Sequence, residues 1–235
     1  MRKKIIFLCG LLCDERIWAT QKEFFSKHYK TEILAFPDMD NLEKMAESVL
    51  PYLYSEGNIL VGHSMGARVA LEVYAKAQNQ IEKIALLDFG IHGVKKEEPA
   101  KRFALIQATE QYGMDYLVEN WLKPMLHPEH ICDEQLLSLQ SDMVLNQNIN
   151  SFKKQVHALL NRKAREELFQ SIHIPMYLGV GRQDQWSTLP QHETMHKLNT
   201  NSQLFIYEKS GHMSPLEASQ QVSDSLYYWI TYSSI

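Results

Sequence analysis

The amino-acid sequence predicts an α/β fold, in which a mostly parallel sheet is covered by helices on both faces. The first observation behind this prediction is that short apolar runs alternate with segments of helical periodicity along most of the chain. The second is that the alternation stops between residues 93 and 170, where amphipathic helical segments follow one another without a convincing strand. We therefore expect a core formed by residues 1–92 and 171–235, and a helical cap formed by residues 93–170 and inserted before the last two strands.

The predicted strands are short apolar runs, as expected for strands that are buried on both faces of a parallel sheet. They lie at residues 5–9, 32–36, 58–62, 84–89, 174–180 and 203–207. Helices are predicted where apolar residues recur every three or four positions. They lie at residues 18–28, 41–54, 65–78, 189–198 and 215–230 in the core, and at residues 100–111, 114–122, 133–145 and 151–161 in the cap.

The composition narrows the function classes. The chain has 235 residues, of which 45% are apolar and 22% charged, and its net charge is −4. This length buries enough surface for folding without metals or disulfides, and the acidic balance argues against nucleic-acid binding. Three cysteines suit a reducing compartment, and no apolar run approaches the length of a membrane span. We expect a cytoplasmic protein with no cofactor, no metal, no nucleic-acid partner and no membrane span.

The first apolar run, residues 5–9, follows a short basic stretch, as the apolar region of a signal peptide does. No small-residue cleavage site follows, because Asp14, Glu15 and Arg16 come next after Cys13. A buried parallel strand has the same continuous apolar character. We interpret the run as a core strand.

A Gly-x-Ser-x-Gly motif, with Ser64 at its centre, lies between a predicted strand and a predicted helix. In this context the motif indicates a sharp turn that exposes a nucleophilic hydroxyl. The flanking Gly62 and Gly66 let neighbouring backbone pass without a clash with a Cβ atom. The helix that follows directs unpaired N–H groups toward developing negative charge. The neighbouring His63 is interpreted as a packing residue.

A serine nucleophile needs a base and a carboxylate that orients the base. Asp184 follows the strand predicted at 174–180, and His212 follows the strand predicted at 203–207. These loops meet at the carboxyl edge of the sheet, so His212 is the predicted base and Asp184 the predicted acid. Asp88, which lies at the end of another strand, stays an alternative acid.

The loop after the first strand provides candidate donors for an oxyanion. Gly10 permits a tight turn there, and the N–H of Leu11 is expected to join the N–H of Met65 as an oxyanion hole.

With these residues in place, the sequence resembles the α/β-hydrolase family over essentially its whole length. It is most similar to small bacterial esterase-type members that begin with a Gly-Leu-x-Cys-Asp-x-Arg-x-Trp loop, which occupies residues 10–18 here. Further matching stretches are residues 45–47, 86–88, 181–184 and 211–217. The resemblance implies a nucleophile at Ser64, an acid at Asp184, a base at His212 and oxyanion donors at Leu11 and Met65. The chain departs from the pattern at Cys9, where histidine is frequent, and at Ala67, where glycine is common.

A second motif, His-Glu-x-x-His at residues 192–196, matches the zincin pattern. On a helix, His192 and His196 would share one face and could bind zinc beside a glutamate base. The longer form of the pattern needs glycine at 199 and histidine at 202, where the chain has Asn199 and Ser202. Zinc catalysis is therefore the weaker interpretation.

The cap is expected to determine substrate preference. A basic window without acidic residues lies within it, and its cations are Lys153, Lys154, Arg162, Lys163 and Arg165. A solvated helix face is the default interpretation, and docking of an anionic acyl carrier is the sharper one. Trp186 is expected either to line the substrate entrance or to pack. Cys9 and Cys13 are interpreted as buried, inert thiols.

The sequence thus predicts a serine hydrolase that cleaves a carboxylic ester or thioester through an acyl-enzyme, with a small-molecule ester or acyl compound as substrate. Action on the methyl ester of an acyl carrier, or acyl transfer, would use the same three residues. A non-catalytic binding protein with the same fold and a zinc peptidase are the alternatives from other classes.

Overall fold

The computed structural model describes residues 3–233. Six strands form one sheet, and every neighbouring pair is parallel. In chain order they are β1 (Lys4–Leu8), β2 (Lys30–Leu34), β3 (Asn58–His63), β4 (Ile81–Leu87), β5 (Met176–Gly181) and β6 (Ser202–Tyr207). Their order across the sheet is β2-β1-β3-β4-β5-β6. The chain therefore reverses its direction across the sheet between β1 and β3, which is where ligands bind in open sheets of this kind.

Helices connect the strands and cover both faces of the sheet, as predicted. In chain order they are α1 (Ala19–Ser26), α2 (Leu42–Val49), α3 (Met65–Ala77), α4 (Glu98–Tyr112), α5 (Asp115–Leu117), α6 (Pro128–Ile131), α7 (Glu134–Leu145), α8 (Ile149–Leu160), α9 (Glu166–Gln170), α10 (Leu189–Leu198), α11 (Ser214–Glu217) and α12 (Ser219–Tyr232). Helix α1 packs on α12, and α2 packs on α3. The reversal between β1 and β3, with right-handed crossovers, places these two pairs on opposite faces.

The core lies around the central strands. All residues of β1, β3 and β5 are buried, whereas β2 at the edge of the sheet is partly exposed. The apolar run that resembles a signal peptide is therefore β1, a central strand between β2 and β3. Strand β2 is two residues earlier than predicted, because its pairing with β1 ends where Leu34 lies opposite Leu8.

Three other predicted elements have different limits for identifiable reasons. Strand β4 begins at Ile81 and includes Lys83, whose ammonium group donates to the carbonyl oxygens of Trp229 and Ile230 at the end of α12. The helix predicted at 41–54 ends at Val49, since Pro51 follows within a 3₁₀ turn. The helix predicted at 215–230 is interrupted at 218, which divides it into α11 and α12.

Helices α4 to α9 lie between β4 and β5, and the described chain contains no strand from residue 88 to residue 175. Helix α4 packs on α8 and α5, and α7 packs on the π-helical segment Val118–Leu122 that continues α5. The short helices α6 and α9 were not predicted, because four or five residues are too few to show a periodic pattern.

Among residues 3–233, none of the helices is both long enough and apolar enough to cross a membrane.

Candidate active site

Ser64 occupies the turn between β3 and α3. Its φ of 54° and ψ of −114° lie in a region that favours glycine. The turn is possible because its neighbours are small: a Cβ atom on Gly66 would lie 2.2 Å from the carbonyl oxygen of Leu8, and one on Gly62 would lie 2.6 Å from the amide nitrogen of Ala67. The sequence therefore forces the backbone into a strained turn that presents the Ser64 side chain at the carboxyl edge of the sheet.

The structure brings Ser64, His212 and Asp184 into one hydrogen-bonded chain. Nε2 of His212 lies 2.9 Å from Oγ of Ser64, and Nδ1 lies 2.8 Å from Oδ2 of Asp184. The other carboxylate oxygen of Asp184 accepts hydrogen bonds from the amides of Trp186 and Ser187, at 2.8 and 2.9 Å. Asp184 and His212 are buried, and they come from the loops that follow β5 and β6.

The electrostatics of this pair favour an ionised carboxylate and a basic imidazole. Burial alone would raise the pKa of Asp184, but the charge and hydrogen bond of His212 lower it below the ordinary value. Burial alone would lower the pKa of His212, but the Asp184 carboxylate raises it above the ordinary value. Because a carboxylate only accepts hydrogen bonds, Nδ1 of His212 carries a proton and Nε2 accepts from the Ser64 hydroxyl in the neutral ring.

Asp88, the alternative acid, forms no hydrogen bond with the His212 ring, whose two nitrogens face Asp184 and Ser64. Its carboxyl group accepts a hydrogen bond from the amide of Gly181 at 3.0 Å and contacts the hydroxyl of Ser214. Burial, with the nearby charge of Asp184, raises the pKa of Asp88 well above the ordinary value. Asp88 thus connects the end of β5 to the start of α11.

His63, which precedes the serine, contacts the backbone of His212. Its ring is buried, and Nε2 donates to the carbonyl oxygen of His212 at 2.7 Å. Burial, with the neighbouring His212, lowers the pKa of His63 to about 3, so the ring is neutral. The interpretation of His63 as a packing residue is correct for the ring but omits this hydrogen bond, which joins loops 149 residues apart.

The loop that carries His212 has a second support that the sequence did not suggest. The buried carboxylate of Glu217 accepts hydrogen bonds from the amides of Gly211 and Met213, at 3.1 and 3.0 Å. The amide of His212 donates to the carbonyl oxygen of Met125 in the cap at 2.8 Å. Glu217 belongs to the matching stretch at residues 211–217, but nothing in its spacing predicts which amides it would bind.

The predicted oxyanion donors lie on either side of Ser64. Within residues 3–233, neither the amide of Leu11 nor that of Met65 donates a hydrogen bond to the protein. The next amide, that of Leu12, donates to Oε1 of Gln155 on α8 at 2.9 Å. The cap therefore holds the loop in a position that leaves the Leu11 amide available.

Two cavities open next to Ser64. The smaller one, of about 50 Å³, is lined by Leu11, and the larger one, of about 330 Å³, extends under α4. Ser64, His212, Trp121 and Trp186 line both cavities. Trp186 is 46% exposed and lies edge to face with Trp121 of the cap. Trp186 therefore lines both cavities and also packs on the cap, and a role at a substrate entrance stays a prediction.

The zincin-like motif lies on α10, the helix that follows the loop of Asp184. His192 is buried in α10, where its Nδ1 faces the carbonyl oxygen of Thr188 at 3.2 Å and its Nε2 accepts from the amide of Phe89 at 3.4 Å. His196 contacts the hydroxyl of Ser202 instead, at 2.8 Å. No three His, Cys, Asp or Glu side chains are grouped to hold a metal ion in the described part of the chain. Both ring nitrogens of His192 thus contact backbone groups of the fold, at Thr188 and Phe89.

The cations of the basic window form ion pairs with carboxylates of neighbouring elements. The pairs are Lys153–Glu110, Lys154–Asp38, Arg162–Glu98, Lys163–Glu43 and Arg165–Glu72. The pairs with Asp38, Glu43 and Glu72 link the cap to the core, whereas those with Glu110 and Glu98 lie within the cap. Together they leave little unpaired charge in this window. Docking of an acyl carrier there stays a prediction.

Cys9 and Cys13 flank the oxyanion loop as buried thiols. Burial, with the neighbouring Asp14 carboxylate, raises the pKa of Cys13 to about 12, and burial also raises the pKa of Cys9. Because the thiolate is the reactive form, burial favours the unreactive thiol form of both side chains.

Known proteins share this architecture at low sequence identity. No protein-family model matches the chain. Among curated proteins, it is 23% identical over 241 residues to the (E)-2-((N-methylformamido)methylene)succinate hydrolase of Acinetobacter baylyi, which covers 96% of this chain and 89% of that protein. It is also 22% identical over 197 residues to the uncharacterized hydrolase YugF of Bacillus subtilis, which covers 79% of this chain and 70% of that protein.

Solved structures resemble the chain over almost its full length. A thermophilic esterase from Thermogutta terrifontis superposes with a TM-score of 0.87 at 17% identity, over 97% of this chain and 89% of that one. An enol-lactonase from Burkholderia xenovorans LB400 gives the same TM-score and identity, over 98% of this chain and 92% of that one. The predicted α/β-hydrolase fold is thereby confirmed.

Proposed function

We propose that the protein is a serine hydrolase that cleaves a carboxylic ester or thioester through an acyl-enzyme. The observation that carries this proposal is the pair of hydrogen bonds that joins Oγ of Ser64, the ring of His212 and the carboxylate of Asp184, at 2.9 and 2.8 Å. A fold shared with an esterase and a lactonase supports the same conclusion.

In the first half-reaction, Oγ of Ser64 attacks the carbonyl carbon of the substrate while Nε2 of His212 takes the hydroxyl proton. Negative charge develops on the carbonyl oxygen, where the amides of Leu11 and Met65 and the N-terminus of α3 stabilise it. The bond to the alcohol then breaks, and His212 gives its proton to the departing oxygen. The acyl group remains on Ser64.

In the second half-reaction, water takes the place of the alcohol. Nε2 of His212 removes a proton from the water as its oxygen attacks the acyl carbon, and the proton passes to Oγ of Ser64 when that bond breaks. Asp184 stays ionised throughout and stabilises the imidazolium. A thioester would react in the same way, and an alcohol in place of water would give acyl transfer.

The proposal is tested with 4-nitrophenyl esters of increasing acyl length, together with a thioester and the methyl ester of an acyl carrier. Ser64→Ala should lower kcat by about 10³-fold or more, because the covalent route is lost. Ser55→Ala is the matched control, since Ser55 is an exposed serine before β3, at the opposite edge of the sheet. Retention of more than about a tenth of the activity in Ser64→Ala would contradict the proposal.

The other two classes give different results in the same assay. A zinc peptidase would lose its activity in EDTA and keep it in Ser64→Ala. A binding protein with this fold would turn over none of the esters, with or without Ser64.

A further inference from the structure

Arg68 lies one helical turn after Ser64 on α3, and both residues line the larger cavity. Its guanidinium group donates one hydrogen bond, from Nη1 to the carbonyl oxygen of His92 at 3.2 Å. It forms no ion pair with any carboxylate in residues 3–233. A guanidinium has five N–H donors, so most donors of Arg68 are available to a ligand in the cavity.

Two more arginines line the same cavity and share a single carboxylate. Nε of Arg102 donates to Glu98 at 2.8 Å, and both Nη atoms of Arg162 donate to Glu98, at 2.7 and 2.5 Å. The remaining Arg162 donors bind backbone carbonyl groups, including that of Gly93 at 3.0 Å. The Nη donors of Arg102 are therefore available to a ligand. The donors of Arg162 are occupied by Glu98 and by backbone carbonyl groups, so Arg162 stabilises the lining of the cavity.

The three arginines (Arg68, Arg102 and Arg162, the arginine wall) lie in a cavity lining in which cations outnumber carboxyl groups. Its cations are these three with Lys95 and Lys101, and its carboxyl groups are those of Asp88, Glu97 and Glu98. Burial, with the neighbouring charge of Arg162, lowers the pKa of Arg68 to about 9. Burial also lowers the pKa of Arg102. The surroundings thus disfavour the charged form of both side chains, and a negatively charged ligand in the cavity would offset this cost.

We infer that the substrate carries a carboxylate a few bonds from the scissile carbonyl, and that Arg68, with Arg102, binds this carboxylate in the larger cavity. The inference rests on the proposed function, because it places the carboxylate beside the Ser64 nucleophile. A guanidinium binds a carboxylate through two parallel hydrogen bonds, which fixes orientation as well as charge. A cavity of about 330 Å³ suits a short-chain, singly charged ester.

The test compares charged and neutral esters of matched shape. To place the charge on the acyl side, the mono-4-nitrophenyl esters of adipic and suberic acid are compared with the same compounds in which the free carboxyl group is methylated. To place it on the alcohol side, 4-acetoxybenzoate is compared with its methyl ester. After subtraction of the uncatalysed rate, the wild-type protein should prefer the charged member of at least one pair by about tenfold or more in kcat/KM. Equal rates in every pair would overturn the inference.

Variants then assign the preference to Arg68. Arg68→Met should reduce the charged-to-neutral ratio about tenfold, and Arg68→Lys should retain part of it, because lysine keeps the charge without the two-pronged geometry. Lys76→Met is the matched control: Lys76 is a cation on the same helix that pairs with Glu47 at the surface. A ratio that is unchanged in Arg68→Met, or reduced equally in the control, would overturn the assignment.

A binding measurement keeps the inference separate from the proposed function. Calorimetric titration should show that the wild-type protein binds adipate about tenfold more tightly than Arg68→Met does, whether or not any ester is turned over. Ser64-dependent hydrolysis without a charge preference, together with equal adipate affinities, would overturn the inference and leave the proposed function intact. Hydrolysis that does not depend on Ser64 would contradict the proposed function, while the titration would still decide whether Arg68 binds a carboxylate.

Discussion

The backbone of Ser64 is strained, and this strain lowers the stability of the fold. At φ 54° and ψ −114°, a residue with a Cβ atom is strained, whereas glycine is not. We therefore expect Ser64→Gly to be more stable to unfolding than Ser64→Ala by about 1 kcal/mol, and we expect both variants to be inactive. The measurement is urea unfolding of the two variants side by side. If Ser64→Ala were as stable as Ser64→Gly or more stable, backbone strain at this turn would not lower the free energy of unfolding.

The state of His212 determines how activity depends on pH. The proposed mechanism requires the neutral ring, and the Asp184 carboxylate raises the pKa of His212 above its ordinary value of 6.5. Activity is therefore present above that raised pKa and is lost as the pH falls through it. The profile of kcat/KM should rise to a plateau with its midpoint above 6.5. A profile that is flat from about pH 5 to 8 would exclude a histidine base.

The two buried acids should respond differently to the same substitution. Asp184→Asn should lower kcat by several orders of magnitude with little change in KM, because it leaves His212 in the wrong tautomer. Asp88→Asn should mainly lower the free energy of unfolding, by about 1–3 kcal/mol, since it disturbs hydrogen bonds that join two loops. Steady-state kinetics and urea unfolding of both variants provide the comparison. A large loss of kcat in Asp88→Asn, with little loss in Asp184→Asn, would show that Asp88 and not Asp184 is the acid.

At the scale of elements, the cap is tied to the oxyanion loop by one buried side chain. Gln155 of α8 accepts from the amide of Leu12 at 2.9 Å and donates to the carbonyl oxygen of Phe36 at 2.8 Å. Removal of the Gln155 side chain leaves the Leu12 amide and the Phe36 carbonyl oxygen without these partners. The loop that carries the Leu11 amide is then no longer fixed by the cap.

Gln155→Ala should therefore lower the free energy of unfolding by about 1–3 kcal/mol, and it should lower kcat more than it raises KM. Lys154→Ala is the control, since the neighbouring Lys154 contacts Asp38 at the surface of the same helix. An unchanged kcat in a folded Gln155→Ala protein would show that the cap does not position the loop.

The sequence pattern predicts elements well where local signals agree. Residues 58–62 are a mostly apolar run, and Ser64 follows between Gly62 and Gly66; the structure places β3 and its turn there. The pattern is less reliable where a side chain finds a partner far along the chain. Lys83 lies inside β4 because it binds the end of α12, which no local rule detects. The interruption between α11 and α12 likewise leaves no signal in the apolar periodicity.

The same distinction applies to the whole molecule and its candidate site. Ser64, Asp184 and His212 were identifiable because each follows a predicted strand, and parallel strands bring their carboxyl ends to one edge. Glu217 and Gln155 were not, since a buried polar side chain reveals its role only through the backbone groups it meets. Arg68 was also missed: its place one turn after Ser64 is visible in the sequence, but the absence of a carboxylate partner within residues 3–233 is visible only in three dimensions.

The central claim is that Ser64 is a nucleophile activated by His212, and covalent labelling tests it most directly. The intact protein is treated with a fluorophosphonate, and the modified peptide is identified by mass spectrometry. One adduct on Ser64 is predicted, and it should form much more slowly in folded His212→Ala, because the hydroxyl then lacks its base. No adduct, an adduct on another serine, or labelling of Ser64 at an unchanged rate in His212→Ala would contradict the claim.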